Sequence, residues 1–278
     1  MKNIQVFALA ALLLGVLFTA CKKDEDKELT QATTAQLIAA GEDQATAEDL
    51  YEDVDYQVDW AIEMRNGGGS FPDCPTITMT PADGSYPRTL VIDFGDGCEG
   101  PNGRIRKGQI VVQQSAAWHV PGAVRTATLQ DFHVDDAHIE GTRTLENLGF
   151  DAQGNITFTR TVTGGKVTYP NGSTATWESN CLLTQVEGGS TPFILLDNAF
   201  EITGNGSGVN RNGKAYTVEI TTPLLKKRIC PWVVSGVISL SAEGKTLTLD
   251  YGSGTCDRKA ILTLPNGAQH EILIRRWW

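Results

Sequence analysis

Basic residues and histidine are scarce in this chain. There are 23 Lys+Arg against 33 Asp+Glu, and four His, in 278 residues. That acidic balance makes nucleic acid and anionic lipid surfaces poor partners. No Cys-x-x-Cys or Cys-x-x-His spacing occurs among the six cysteines, which removes a cysteine-based zinc site. No Gly-x-Ser-x-Gly elbow is present, and the glycine-rich run from Gly204 to Gly208 precedes no helix that could cradle phosphate. The apolar run from Val6 to Phe18 is too short to span a bilayer, which takes about 20 residues.

What is present is a repeated motif. Its first copy starts at Cys74-Pro75 and ends in Thr89-Leu90-Val91-Ile92-Asp93-Phe94-Gly95-Asp96-Gly97-Cys98. The second starts at Cys230-Pro231 and ends in Thr246-Leu247-Thr248-Leu249-Asp250-Tyr251-Gly252-Ser253-Gly254-Thr255-Cys256. Each copy reads as a β-hairpin closed by a disulfide, turning at Asp83 to Pro87 and at Glu243-Gly244 respectively. Paired strands place Cα atoms about 4.5–5.5 Å apart, within reach of a disulfide, so Cys74–Cys98 and Cys230–Cys256 are the expected bridges. Asp93 and Asp250 point away from the apolar face, and an Asx-type hydrogen bond within the Gly-x-Gly turn accounts for both. No histidine or second carboxylate shared by the two copies supports a catalytic reading of these aspartates. Cys181 remains unpaired and is expected as a buried thiol.

From Phe71 onward the pattern is β. Ile156, Phe158 and Val162 alternate with threonines, as do Tyr216, Val218 and Ile220 with polar residues. Asn102-Gly103, Gly164-Gly165, Asn171-Gly172, Asn212-Gly213 and Asn266-Gly267 supply turn signals. The expected fold is all-β: an antiparallel sandwich or two packed sheet units with internal duplication, preceded by one N-terminal helix. That helix is expected over Thr46 to Arg65, with Leu50, Val54, Val58 and Ile62 as its docking stripe and acidic residues opposite. A shorter helix over Thr34 to Ala40 is expected to stop at Gly41.

The domain plan has four parts: residues 1–20 as signal peptide, 21–43 as acidic tether, 44–70 as helix and glycine-rich hinge, and 71–278 as β domain. Residues Leu17-Phe18-Thr19-Ala20-Cys21 resemble a bacterial lipobox, which implies cleavage before Cys21 and acylation, including palmitate, of that cysteine. A multiply acylated cysteine anchors a protein firmly without a transmembrane helix. The mature chain then carries 22 Lys+Arg against 33 Asp+Glu, since only Lys2 is lost from the charged residues. Lys23-Asp24-Glu25 resembles the surface-export signal of Bacteroidetes-type lipoproteins. It implies an outer-membrane protein facing the cell surface, the alternative being one that faces the periplasm.

Cys74-Pro75, Val91 to Cys98, Arg106-Lys107-Gly108-Gln109-Ile110, Pro223-Leu224 and Tyr251 to Asp257 together resemble the uncharacterised lipoproteins of Bacteroidetes-type bacteria. The resemblance covers most of the mature chain; it implies location and carries no activity. Ile92 to Gly97 is also similar to the Trp-Asp-Phe-Gly-Asp-Gly signature of PKD-type modules, with Ile92 at the tryptophan position.

One cluster suggests metal: His133, Asp135, Asp136 and His138, which a turn at Asp135-Asp136 could gather. A polar hairpin tip explains the same residues. No cofactor is expected. Six tryptophans, Trp60, Trp118, Trp177, Trp232, Trp277 and Trp278, could stack on sugars or fill the core. The sequence therefore points to a lipid-anchored envelope protein, non-enzymatic, binding a protein or glycan or serving a structural role. The alternative is a carbohydrate-active hydrolase using paired carboxylates.

Overall fold

The computed structural model describes residues 29–66, 74–100, 103–191 and 194–274. The signal peptide, Cys21, the glycines after Asn66, and Trp277-Trp278 lie outside them. One helix comes first, α1 (Gln31–Asn66). Fourteen strands follow: β1 (Thr76–Thr80), β2 (Arg88–Asp93), β3 (Cys98–Glu99), β4 (Ile105–Gln114), β5 (Val124–Val134), β6 (Ala137–Phe150) and β7 (Ile156–Thr168). The second half adds β8 (Thr174–Glu187), β9 (Ala199–Val209), β10 (Ala215–Lys227), β11 (Val233–Ala242), β12 (Lys245–Ser253), β13 (Lys259–Thr263) and β14 (Gln269–Leu273). The fold is thus all-β with a single N-terminal helix, as the alternation and turn signals predict.

The strands form one antiparallel meander in the order β1-β2-β4 and onward to β14, with β3 beside β4. No break divides it into two units: β8 pairs with β9 from Thr176↔Val209 to Glu187↔Ala199. The sheet curls around α1. Leu50, Val54 and Val58 are buried as the apolar stripe requires, but so are Asp49, Glu52, Asp53 and Asp55 on other sides of the helix. The acidic face is therefore enclosed and not solvated, because the inner face of the sheet supplies its counter-charges. The core has two parts. Val54, Val58, Ala61 and Ile62 pack with β1 to β8, while Leu37, Ala40 and Ala45 pack with β7 to β14.

Two expectations about the helix change. It is continuous, so residues 31–43 belong to it and Thr46 is an interior position, not a cap. Thr30 caps it instead, its hydroxyl accepting from the Thr33 amide at 3.1 Å. Gly41 does not stop it, although glycine costs about 1 kcal/mol against alanine inside a helix. A Cβ there would come within 2.7 Å of Leu262 Cδ1, so the glycine lets β13 approach the helix backbone.

The turns mostly fall where their residues predict. Glu243-Gly244 joins β11 to β12 with φ of 51° and 68°, the positive pair of a type I′ hairpin. Gly164-Gly165 is not a turn but a bulge within β7, at a register shift against β8. The bulge serves Tyr51: a Cβ at Gly165 would lie 2.9 Å from the phenol oxygen, which donates to the Glu140 carbonyl. The run from Gly204 to Gly208 lies within β9, where a Cβ at Gly204, Gly206 or Gly208 would strike the backbone of β8.

Candidate functional site

The interior of the molecule carries a cluster of buried charges. Every buried acid among the described residues lies on α1: Asp43, Glu48, Asp49, Glu52, Asp53, Asp55 and Asp59. The buried arginines facing them come from the sheet. Arg106 on β4 grips Asp53 with two hydrogen bonds of 2.6 and 2.7 Å. Arg104 pairs with Asp49 and, at 3.1 Å, with Asp53. Arg125 on β5 reaches Asp59 at 2.6 Å. Arg143 on β6 reaches Asp55 at 2.7 Å and Glu52 at 3.2 Å, and Arg160 on β7 donates to Glu52. Arg228, just after β10, lies 3.1 Å from Asp59 and 3.4 Å from Glu52.

The protonation states follow from this packing. Burial alone would push the Glu52 and Asp55 carboxyls up, but the surrounding guanidiniums outweigh it and hold both below the usual carboxylate range. Burial dominates at Glu48, whose carboxyl is raised even though it accepts from Tyr251 at 2.6 Å. Burial likewise pushes the Lys226 ammonium down to about 8. Glu52 and Asp55 share Arg143, so these two carboxylates are committed to arginines and closed from solvent.

The two hairpins match the expected chemistry. Cys74–Cys98 and Cys230–Cys256 are disulfides, each with Cα atoms 5.8 Å apart. Asp93 and Asp250 each accept from the amide two residues on, Gly95 and Gly252, at 2.8 Å. These are the Asx turns expected of them. Cys181 is a buried free thiol beside Ser179.

A cleft of about 460 Å³ opens between α1 and the first hairpin. Tyr56, Trp60 and Phe94 line it, with the Cys74–Cys98 bridge, Glu99 and Arg106. Trp60 is half-buried, and Phe94 belongs to the core. Arg106 is neutralised by Asp53, so Glu99 is the one uncommitted carboxylate among the described lining residues. Aromatic rings with a few polar groups at the rim suit a sugar ring or an apolar side chain. Trp177 is a core residue, donating its indole N–H to Gln44 at 2.9 Å. The exposed aromatics of the described residues, Tyr86 in the loop before β2 and Phe150 at the end of β6, form no row.

The β5–β6 hairpin places the four residues singled out for metal. Asp135 and Asp136 form the turn with φ of 48° and 69°. Their carboxylates point away from the histidines: Asp135 accepts from the Ile105 amide at 2.9 Å, and Asp136 pairs with Lys107 at 3.2 Å. His133 and His138 are direct cross-strand partners with stacked rings 4.6 Å apart. The residue that joins them is Asp131, 3.2 Å from His133 Nε2. Sequence spacing missed it because a bulge between Thr128 and Phe132 sets its direction.

Comparison with known protein families, curated proteins and solved structures finds no match.

Proposed function

We propose that the chain is a lipid-anchored protein of the cell envelope that binds a protein or glycan and catalyses no reaction. The anchor is Cys21 at the end of Leu17-Phe18-Thr19-Ala20-Cys21, and the charged segment from Lys23 directs the protein to the outer surface of the outer membrane. Two disulfides accord with an oxidising compartment. The resemblance to Bacteroidetes-type lipoproteins supports the same location.

The observation that favours binding over hydrolysis is the placement of carboxylates. Glu52 and Asp55, which share Arg143, sit inside the sheet and are also held by Arg160 and Arg228. The open cleft offers Tyr56 and Trp60 with Glu99 alone. A glycosidase needs two carboxyl groups about 5–9.5 Å apart across its substrate.

Two experiments test the reading. Mature protein is titrated against a panel of soluble polysaccharides, with Trp60→Ala in parallel. Binding that weakens roughly tenfold in the variant supports the cleft. Release of reducing ends from any polysaccharide overturns the non-enzymatic reading. For the anchor, cells labelled with fatty acid should yield labelled wild-type protein and unlabelled Cys21→Ala. An unlabelled wild type removes the anchor, and protection from protease on intact cells removes the surface placement.

A further inference from the structure

We propose that Asp131, His133 and His138 form a divalent transition-metal site of the zinc class on the outer face of the β5–β6 hairpin. The three side chains offer two imidazole nitrogens and one carboxylate oxygen, all within 4.8 Å of one another. Asp131 Oδ1 lies 3.2 Å from His133 Nε2 and 3.9 Å from His138 Nε2. A tetrahedral zinc with bonds of about 2.0–2.1 Å holds its donors about 3.3 Å apart. The 3.2 and 3.9 Å separations from Asp131 bracket that spacing. Two nitrogens and one oxygen suit borderline divalent ions and disfavour calcium and magnesium, which take all-oxygen shells. Three protein donors leave at least one position for water or an outside ligand.

The hairpin is built so that these residues converge. The type I′ turn puts His133 opposite His138. Asp131 sits in the left-handed region, φ 46°, within the bulge. That bulge closes against Gly108 on β4, where a Cβ would come 2.0 Å from the Asp131 carbonyl oxygen. Residue 108 must therefore be glycine for Asp131 to reach the histidines. Glu140 lies 3.8 Å from His138 Nδ1 and is itself held by Lys166 at 2.7 Å. The 3.8 Å separation is longer than a hydrogen bond, so Glu140 contributes negative charge near the ring and not a fixed orientation. The nearby cations do not occupy the site, since Lys107 pairs with Asp136 and Lys166 with Glu140.

The test uses full-length mature protein in detergent, stripped with EDTA and titrated with zinc by calorimetry. Wild type should take one equivalent, with no competition from a large excess of magnesium. His133→Ala, His138→Ala and Asp131→Asn should each weaken binding roughly tenfold or more, while Asp136→Asn leaves it unchanged. Cobalt should give the visible bands of a tetrahedral nitrogen–oxygen site in wild type and lose them in the histidine variants. Metal-free melting curves of all variants establish that each is folded. No uptake by wild type overturns the site. So does equal uptake by folded wild type and histidine variants, which marks an adventitious ion only. Neither result bears on glycan binding at Trp60, which lies on α1.

Discussion

Replacing Glu52 by Gln tests whether the interior charges hold the helix in the sheet. Glu52 is 1% exposed and accepts from Arg143, Arg160 and Arg228. After the change Arg143 keeps Asp55 at 2.7 Å and Arg228 keeps Asp59 at 3.1 Å. Arg160 loses its hydrogen-bonded carboxylate and keeps a 3.9 Å contact to Asp55, which Arg143 and Arg228 share. Breaking one buried pair by removing a single partner costs about 3–5 kcal/mol. A loss of about 4 kcal/mol is a large share of the 5–15 kcal/mol typical of a folded domain.

Urea unfolding followed by tryptophan fluorescence reads this loss directly. The double variant Glu52→Gln with Arg160→Met should regain at least about 2 kcal/mol, because it removes the Arg160 charge as well. The acid limb offers a second reading. The Glu52 and Asp55 carboxyls are held low in the folded state. Their stabilisation is therefore complete above the unfolded carboxyl range, about pH 4, and drains away as pH falls below it. Glu52→Gln should flatten that loss. A cost below about 1 kcal/mol, or strict additivity in the double variant, would refute the reasoning.

Lys226→Met should raise stability at neutral pH. Burial lowers its folded pKa to about 8, so its contribution is complete above the unfolded value, about 10.4, and is lost as pH falls through 8. Charged burial at pH 7 then costs roughly 3 kcal/mol, offset by about 1 kcal/mol from its hydrogen bond to the Cys230 carbonyl. The gain in denaturant midpoint should shrink between pH 7 and 10, and a pH-independent difference would count against the buried-ammonium account. Cys230→Ser with Cys256→Ser should cost about 3 kcal/mol by loop closure over the 26-residue separation. Non-reducing peptide mapping of wild type should recover Cys74–Cys98 and Cys230–Cys256, and a linkage through Cys181 would contradict the buried thiol.

The hairpins were legible because each is local. Alternation, a two-residue turn and cysteines at matching offsets define β11 and β12 without reference to the rest of the chain. The surroundings of α1 were not legible, because an acidic helix face reads as solvated until its partners are known. A signal did exist: Arg160 stands in phase with Phe158 and Val162 on β7, so it points inward with them. An arginine in apolar phase on a strand, beside a helix of nine acids and one base, is the pattern of a buried ion pair. Asp131 gave no such signal. Its direction depends on Gly108, a residue on another strand, and on a bulge that spacing along one strand cannot show.

The ionic interior also couples the two parts of the fold. Along α1, Glu48 and Glu52, Asp49 and Asp53, and Asp55 and Asp59 stand four residues apart, where like charges weaken an isolated helix by a few tenths of a kcal/mol each. The helix gains its full stability only when Arg106, Arg125, Arg143 and Arg160 close around it. Those arginines in turn cannot be buried without the helix, since a lone charge inside a protein is far costlier than a paired one. Helix and sheet must therefore form together, and each alone stays charged and solvated. The same packing decides where recognition can occur. A helix that fills the curled sheet leaves that space to side chains, so a ligand must meet the molecule at its margins. The cleft beside Trp60 and the outer face carrying Asp131, His133 and His138 are two such margins, one apolar with a polar rim and the other a set of metal donors.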